Sequence, residues 1–346
     1  MKQQFIQWAE HGWVPDSIIR WGIRRLIQER FDQEKKLHRS QSHKQNTIRA
    51  LSKGAVAEDV QKANMQHYDV PGDFYQEVLG KNLKYSSAYY EHPTSSLTQA
   101  EEAMLSLYQS FAQIKDGMDI LELGCGWGSL TLWLASHYPN AKITAISNAL
   151  SQKHWIDKQC EQRGYQNVTV KTVDINAFSP DQNYDRVVSV EMFEHVRNYK
   201  QLFDTINSWL KDDGKLFVHI FCHKMWAYFF ETQGHDNWMG QYFFTGGVMP
   251  SFDTFEMIDQ ELSLEEKKWI SGTHYQKTAR DWRRNLRRNQ KVIEIIFENI
   301  YPKHESKRWV GRWNMFFMAC EELFGFDQGQ EWGVGLFRFS KKESIR

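Results

Sequence analysis

The run Ile120-Leu-Glu-Leu-Gly-Cys-Gly-Trp-Gly128 constrains this chain more than any other stretch, because an apolar strand there turns into a glycine-rich corner at a helix entrance. Gly124, Gly126 and Gly128 permit positive φ and let a ligand approach bare backbone. From Ser129 to Ser136 an apolar helical pattern resumes through Leu130, Leu132, Trp133 and Leu134. Strand, glycine corner and helix in that order make a binding site for a nucleotide-like cofactor. The dinucleotide spacing Gly-x-Gly-x-x-Gly sets a pyrophosphate on the helix N-terminus. Here the spacing is Glu122-x-Gly-x-Gly-x-Gly, with Cys125 inside the corner. A carboxylate two residues before the first glycine repels phosphate and suits a cofactor carrying positive charge, such as the ammonium and sulfonium of S-adenosylmethionine.

The flanking pattern predicts the sheet that carries this corner. Strands are expected at Lys142 to Ser147, Val168 to Val173, Tyr184 to Val190 and Gly214 to Phe221, and helices at Gln152 to Gly164 and Tyr199 to Leu210. Regular alternation with short turns means a parallel, doubly wound α/β sheet whose ligand lies at the carboxyl ends of the strands. Beyond Cys222 an aromatic stretch runs to about Pro250. Helical blocks at Tyr275 to Tyr301 and Lys307 to Gly325 then separate candidate strands Glu265 to Ser271 and Gly333 to Ser340. These helices read as a substrate-side insertion, at about 223–325, within a main domain of residues 96–346.

Residues 1–95 read as a helical N-terminal cap and lid. Residues 1 to 35 predict one helix, with Ile18, Ile19, Gly22, Ile23, Leu26 and Ile27 on one face and Arg20, Arg24, Arg25 and Arg30 on the other. The polar stretch Leu37 to Glu58 reads as a mobile connection or loosely packed helix. The ring-rich Gln66 to Tyr75 and Leu83 to Tyr90 read as an ordered lid.

Composition narrows the class. With 43 basic and 43 acidic residues, nothing suggests binding to nucleic acid through bulk charge. No apolar run is long enough to span a bilayer, and the N-terminus has no signal-peptide core, so a soluble, cytoplasmic protein is expected. The four cysteines are scattered, without metal-finger spacing, and read as reduced thiols. The 14 Trp, 14 Tyr and 22 Phe, crowded into the second half, serve as core and can also line a pocket for an apolar or cationic ligand.

Other strand ends supply polar groups around the same ligand. Ser147 and Asn148 follow the second strand, where a ribose would sit, and Gln152 at the next helix start reaches toward its hydroxyls. Asp174 and Ile175, after the third strand, offer a carboxylate and a backbone N–H to an adenine edge. Each is equally an ordinary cap or turn residue taken alone. The fourth strand ends in Val190-Glu-Met-Phe-Glu-His195, the densest ionisable cluster at any strand end. Glu191, Glu194 and His195 there are positioned to take the proton of an ammonium or hold a cation. His219 and His223 are read as alternating strand residues, and no metal site is expected.

The residues His67-Tyr-Asp-Val-Pro-Gly-Asp-Phe-Tyr75, Tyr85-Ser-Ser-Ala-Tyr-Tyr90, Leu123-Gly-Cys-Gly-Trp-Gly-Ser129 and Glu191-Met-Phe-Glu-His195 together resemble the cyclopropane-fatty-acid-synthase-type methyltransferases. That family includes lipid cyclopropane synthases and coclaurine-type amine N-methyltransferases. The resemblance implies a class I methyltransferase, Rossmann-like fold and S-adenosylmethionine as cofactor. It places Tyr85 and Ser86 near the cofactor's amino-acid end, with Gly124, Gly126, Gln152, Asp174 and Ile175 along the rest.

The resemblance also separates two branches. Cyclopropane synthases hold a bicarbonate base with a Cys of the Tyr-Ser-Cys-Ala-Tyr motif, the Glu of the Glu-His pair, a His on the fifth strand and a Tyr from the late helices. Here Ser87 stands for the Cys and the stretch Asp281-Trp-Arg-Arg284 for the Tyr, while Glu194 and His219 remain. His223 to Tyr228, Tyr242 to Gly247, Phe324 to Trp332 and Val14 to Ile19 are similar to the amine branch. The expected reaction is therefore N-methylation of a small hydrophobic amine. In that reading Glu194 with His195 accepts the amine proton, Glu191 orients the amine, and Phe221, His223, Trp226, Tyr228 and Trp332 surround it. The alternative is a lipid acyl-chain methyltransferase or cyclopropane synthase, which alone would require membrane contact. The oligomeric state is left open, a dimer included.

Overall fold

A computed structural model describes residues 2–39, 41–57, 70–230 and 238–342. At the N-terminus lie α1 (Lys2–Glu10), α2 (Asp16–Leu37), α3 (Gln41–Ala50) and β1 (Ser52–Ala57). The single helix expected over residues 1 to 35 is thus two. Gly12 takes φ 74° and ends α1, and Pro15, with no N–H to donate, precedes the first turn of α2. Leu37 to Glu58, expected as a loose connection, forms α3 and a strand as far as Ala57. Of the expected lid, residues 66–69 lie outside the described residues, and the next part forms α4 (Gly72–Val78). Helix α5 (Leu97–Phe111) follows, opened by a capping box between Ser96 and Gln99.

The main sheet begins with β2 (Asp119–Leu123), α6 (Ser129–His137), β3 (Lys142–Ser147), α7 (Leu150–Arg163), β4 (Val168–Thr172) and β5 (Tyr184–Val190). The short β6 (Val196–Asn198) pairs with β1 outside the sheet. After α8 (Tyr199–Trp209) come β7 (Leu210–His223), the ribbon of β8 (Tyr228–Phe229) and β9 (Val248–Met249) with α9 (Trp238–Tyr242) between them, and β10 (Leu262–Ile270). Three helices, α10 (Gly272–Arg288), α11 (Gln290–Glu298) and α12 (Lys303–Gly325), precede the last strand, β11 (Trp332–Lys341).

The seven strands lie in the order β10-β11-β7-β5-β2-β3-β4. The pairs among β2, β3, β4, β5 and β7 are parallel, as the β-α alternation predicts, but β11 runs antiparallel to both β7 and β10, so the sheet is mixed. The inserted helices explain the exception. Strand β10 reaches the carboxyl edge at Ile270, α10 to α12 remain at that edge, and β11 starts there and has to run back down. The insertion therefore roofs the strand ends where the glycine corner lies.

Alternation along each strand splits the core in two. Ile120, Val188 and Phe217 face α5, α6 and the inserted helices, whereas Leu121, Val187 and Leu216 face α8. The N-terminal helices dock on α12. Arg20 reaches Glu321 at 2.6 Å and Arg24 reaches Glu322 at 2.6 Å, so part of the basic face of α2 is spent on binding the main domain. Glu10, 1% exposed, accepts from Arg308 at 2.6 Å and from the Trp238 indole at 2.9 Å. Among the described residues no helix is long and apolar enough to cross a membrane.

Close approach of α1 to α12 depends on Gly311, where an added Cβ would lie 1.8 Å from the Glu10 carbonyl oxygen. Gly311→Ala is expected to lower stability by about 1–3 kcal/mol, the cost of overpacking. Urea denaturation measures the loss, and limited proteolysis should show earlier cleavage between α1 and α2 than in the unaltered protein.

Candidate active site

At the corner after β2, Gly124, Gly126 and Gly128 have φ of 77°, 51° and 82°, the left-handed region the spacing predicts. Gly128 also has packing reasons, since a Cβ there would meet Ile156 at 2.7 Å. Nothing stands within 4 Å of the Cβ position at Gly126, so its backbone faces open space. That space is a cleft at the carboxyl ends of the strands. Its polar wall holds Tyr85, Ser86, Glu122, Cys125, Ser129 and Gln152; its opposite wall is apolar, with rings from the insertion.

The polar wall fits a cationic, hydrogen-bonding cofactor. Gln152 Nε2 and Ser129 Oγ are buried with no hydrogen-bond partner, and both residues line the cleft. Burial pushes the Glu122 carboxyl up to about 8, against the opposing hydrogen bond from Thr131. A positive charge brought beside it would draw off its proton. Ser147, Asn148, Asp174 and Ile175 do not line the cleft. Ser147 donates to Gln152 Oε1 at 2.5 Å and so fixes the amide that does, while Asp174 accepts from the Asn176 backbone at 2.8 Å in a local turn. Strand order nevertheless sets these residues beside the corner, at the ends of β3 and β4.

The ionisable cluster after β5 is arranged differently from the expectation. Glu191 has φ 48°, rare for a residue with a Cβ, and such a conformation costs on the order of 1–3 kcal/mol. The turn aims its carboxylate at three donors. Ser87 N–H and His219 Nε2 each reach Oε1 at 3.0 Å, and the Tyr275 hydroxyl reaches Oε2 at 2.7 Å. Burial alone would raise the proton affinity of Glu191. Hydrogen bonds from His219 and Tyr275, with the charge on Lys84, overcome burial and hold the carboxyl below the usual carboxylate range.

Glu194, expected beside the substrate, is fully buried, does not line the cleft and accepts from the Phe221 N–H at 2.7 Å. Burial, helped by the nearby Glu191 charge, pushes it well above the carboxylate range. The short 3₁₀ turn Phe193–His195 turns this carboxyl beneath β7, whereas His195 faces the cleft. Burial lowers the His195 pKa to about 4, so the imidazole is neutral at physiological pH.

Of the five residues expected around a substrate, only Phe221 lines the cleft. His223, Trp226, Tyr228 and Trp332 form a separate packed cluster. His223 stacks on Trp226 at 4.3 Å, the Trp332 indole donates to Tyr228 at 3.0 Å, and Phe31 of α2 lies against Trp226 and Trp332. Strand β7 runs on past the end of β5, and this extension passes under α2 instead of beside the cleft. The rings that do line the cleft include Phe230, Phe244, Phe324 and Trp282. Position in sequence gave no signal for them, because they sit among many other aromatics.

The late helices also depart from the expectation. Asp281 accepts from the Tyr90 hydroxyl at 2.9 Å and Arg283 pairs with Asp16, so both face away from the cleft, while Trp282 between them lines it. Tyr275, one turn and a half earlier on α10, provides the tyrosine. Ser87 N–H, His219 and Tyr275 thus converge, and what they hold is the Glu191 carboxylate itself. Tyr108 and Lys84 stand behind them, unforeseen because burial alone gives these two residues their place.

Known proteins share this chain's sequence pattern and fold. Residues 56–331 match the family described as mycolic acid cyclopropane synthetase. The (S)-coclaurine N-methyltransferase of Thalictrum flavum subsp. glaucum is 35% identical over 345 residues, 98% of this chain and 96% of that protein. The cyclopropane-fatty-acyl-phospholipid synthase of Escherichia coli (strain K12) is 30% identical over 271 residues, 78% of this chain and 66% of that protein. A crystal structure of coclaurine N-methyltransferase bound to N-methylheliamine and S-adenosylhomocysteine superposes with a TM-score of 0.93 at 34% identity, covering 98% of this chain and 99% of that one. The chain belongs to this family of S-adenosylmethionine-dependent methyltransferases.

Glu122 generates an expectation about cofactor binding. Burial holds its proton up to about pH 8, and a bound cation would displace it, so affinity for S-adenosylmethionine should rise from pH 6 to about 8 and then level. Calorimetry in buffers of different ionisation enthalpy should detect proton release that Glu122→Gln abolishes. Equal proton release in both proteins would exclude Glu122 as the source.

Proposed function

We propose that this enzyme methylates the nitrogen of a small, hydrophobic, ring-bearing amine. The observation that carries the reading is an ionised carboxylate, Glu191, set at the floor of an aromatic cleft. S-adenosylmethionine supplies an electrophilic methyl group on a cationic sulfur. Glu122, the glycine corner, Gln152, Tyr85 and Ser86 would hold it, with Ser147, Asn148, Asp174 and Ile175 beyond the cleft toward its nucleoside.

An ammonium has no lone pair and must first lose a proton. Glu191 keeps lone-pair capacity on Oε2 beside the Tyr275 hydrogen bond, and it is anionic, so it attracts the ammonium and takes its proton. His195, neutral and facing the same cleft, orients the amine or passes the proton outward. Glu194 serves as a neutral acid that fixes the Phe221 backbone. Phe230 stacks on Phe244 at 5.2 Å and Phe221 meets Phe244 edge-on at 5.7 Å, giving flat surfaces for a substrate ring and π faces for a cationic product. Closing such a cleft contributes to rate by holding the partners together and excluding water.

The N-methyltransferase relatives support this reading, and so does the donor set around Glu191. In a cyclopropane synthase the equivalent donors are expected to hold bicarbonate, whereas here a side chain of the protein fills their grasp. Acyl-chain modification is therefore the weaker alternative.

Incubation with labelled cofactor and either secondary amines or phospholipid vesicles separates the two, with label expected on the amines alone. Glu191→Gln is expected to reduce kcat by about 100-fold or more, the usual range for losing a general base. Glu194→Gln should change it by less than about tenfold, because a neutral amide replaces a neutral acid and still accepts from Phe221. The reverse order of losses would return the role of base to Glu194.

A further inference from the structure

Lys84 is 2% exposed, and a lysine is rarely buried without an ionic partner. Its Nζ donates to Ser86 Oγ and, at 2.7 Å, to the Ser87 carbonyl, both neutral. Among the described residues no carboxylate lies within ion-pair distance of it. The ammonium sits 5.0 Å from the centre of the Tyr108 ring. The Tyr108 hydroxyl meets His219 Nδ1 at 2.5 Å, and His219 Nε2 meets Glu191 at 3.0 Å.

Tyr108, His219 and Glu191 form one hydrogen-bonded chain, and the Lys84 ammonium stands over the ring at its far end. A carboxylate only accepts, so the neutral His219 carries its proton on Nε2 and leaves Nδ1 as an acceptor. Tyr108 therefore donates to His219 Nδ1. We propose that Lys84 is the positioning residue for Glu191: from behind the Tyr108 ring and the hydrogen-bonded chain through His219, its charge keeps the carboxylate ionised. The proposal rests on the reading of Glu191 as the base.

The electrostatics agree with the geometry. The groups facing Lys84 are Glu191 at the end of β5, His219 on β7, and Glu101 and Tyr108 on α5. Burial draws the Lys84 ammonium down to about 8, with Glu191 and Glu101 opposing. Glu101 is already held by the Gly80 and Asn82 N–H groups, at 3.0 Å each. The charge on Lys84 in turn lowers the proton affinity of both Glu191 and His219. An anionic carboxylate and a neutral imidazole are the forms the proton transfer needs.

The test uses Lys84→Met and Tyr108→Phe in the full chain. Without the distant charge Glu191 holds its proton more tightly, so the acid limb of kcat against pH should move up by roughly one unit or more in Lys84→Met. Turnover lost near neutrality should return toward the wild-type value at higher pH. Tyr108→Phe removes one hydroxyl from the chain and should move the limb the same way by less, which keeps the proposal testable if the methionine variant folds poorly. Infrared difference titration gives a readout apart from catalysis. A protonated-carboxyl band that Glu191→Gln removes should appear at a higher pH in Lys84→Met than in the wild type. A uniform loss of activity at every pH, or an unshifted carboxyl band, overturns the proposal. Full activity in Glu191→Gln would instead defeat the reading of Glu191 as the base, while the infrared titration would still report on Lys84.

Discussion

The buried carboxylate of Glu191 is the constraint on which the rest of this site depends. One side chain is held by the loop through Ser87, by His219 on β7 and by Tyr275 on the inserted helix α10. These segments lie far apart in the chain. An anion in a low-dielectric interior is stable only where several donors reach it. The left-handed backbone at Glu191 is one cost of placing it there, and the buried Lys84 is another. Both costs are offset by the compact network they complete.

The sheet and the insertion divide the work. Parallel strands bring Glu122, the glycine corner and Gln152 to one edge, which is a cofactor-binding arrangement shared widely among α/β folds. The apolar wall comes from elsewhere, from helices α10 and α12 and the segment around Phe230 and Phe244. Because those helices stay at the carboxyl edge, they force the last strand to run antiparallel. The mixed sheet and the roof over the cleft are thus one topological fact.

A stack of aromatic residues proved hard to interpret from order alone. His223, Trp226, Tyr228 and Trp332 have the chemistry of a cation-binding pocket, and packing uses it to bind α2 to the sheet instead. Phe230 and Phe244 have no more distinctive a sequence context, yet they face the cleft. Rings are interchangeable in a one-dimensional pattern, and only their direction gives them a role. The same holds for Glu191 and Glu194, three residues apart at one strand end. A single 3₁₀ turn leaves Glu191 at the cleft and buries the other carboxyl against the Phe221 backbone.

What the amino-acid order determined by itself was local: strand and helix alternation, the left-handed glycines, the carboxylate before them, and the motifs that mark the family. Each depends on neighbouring residues, on a period of two or 3.6, or on the absence of a Cβ, and all of these are present in the chain before it folds. Tertiary structure alone decided which carboxylate faces the cleft, which rings line it, and that Tyr275, Tyr108 and Lys84 gather around Glu191. Proton affinity follows from burial and from the partners a group acquires, and those partners come from α5, β7 and α10, segments that only folding brings together.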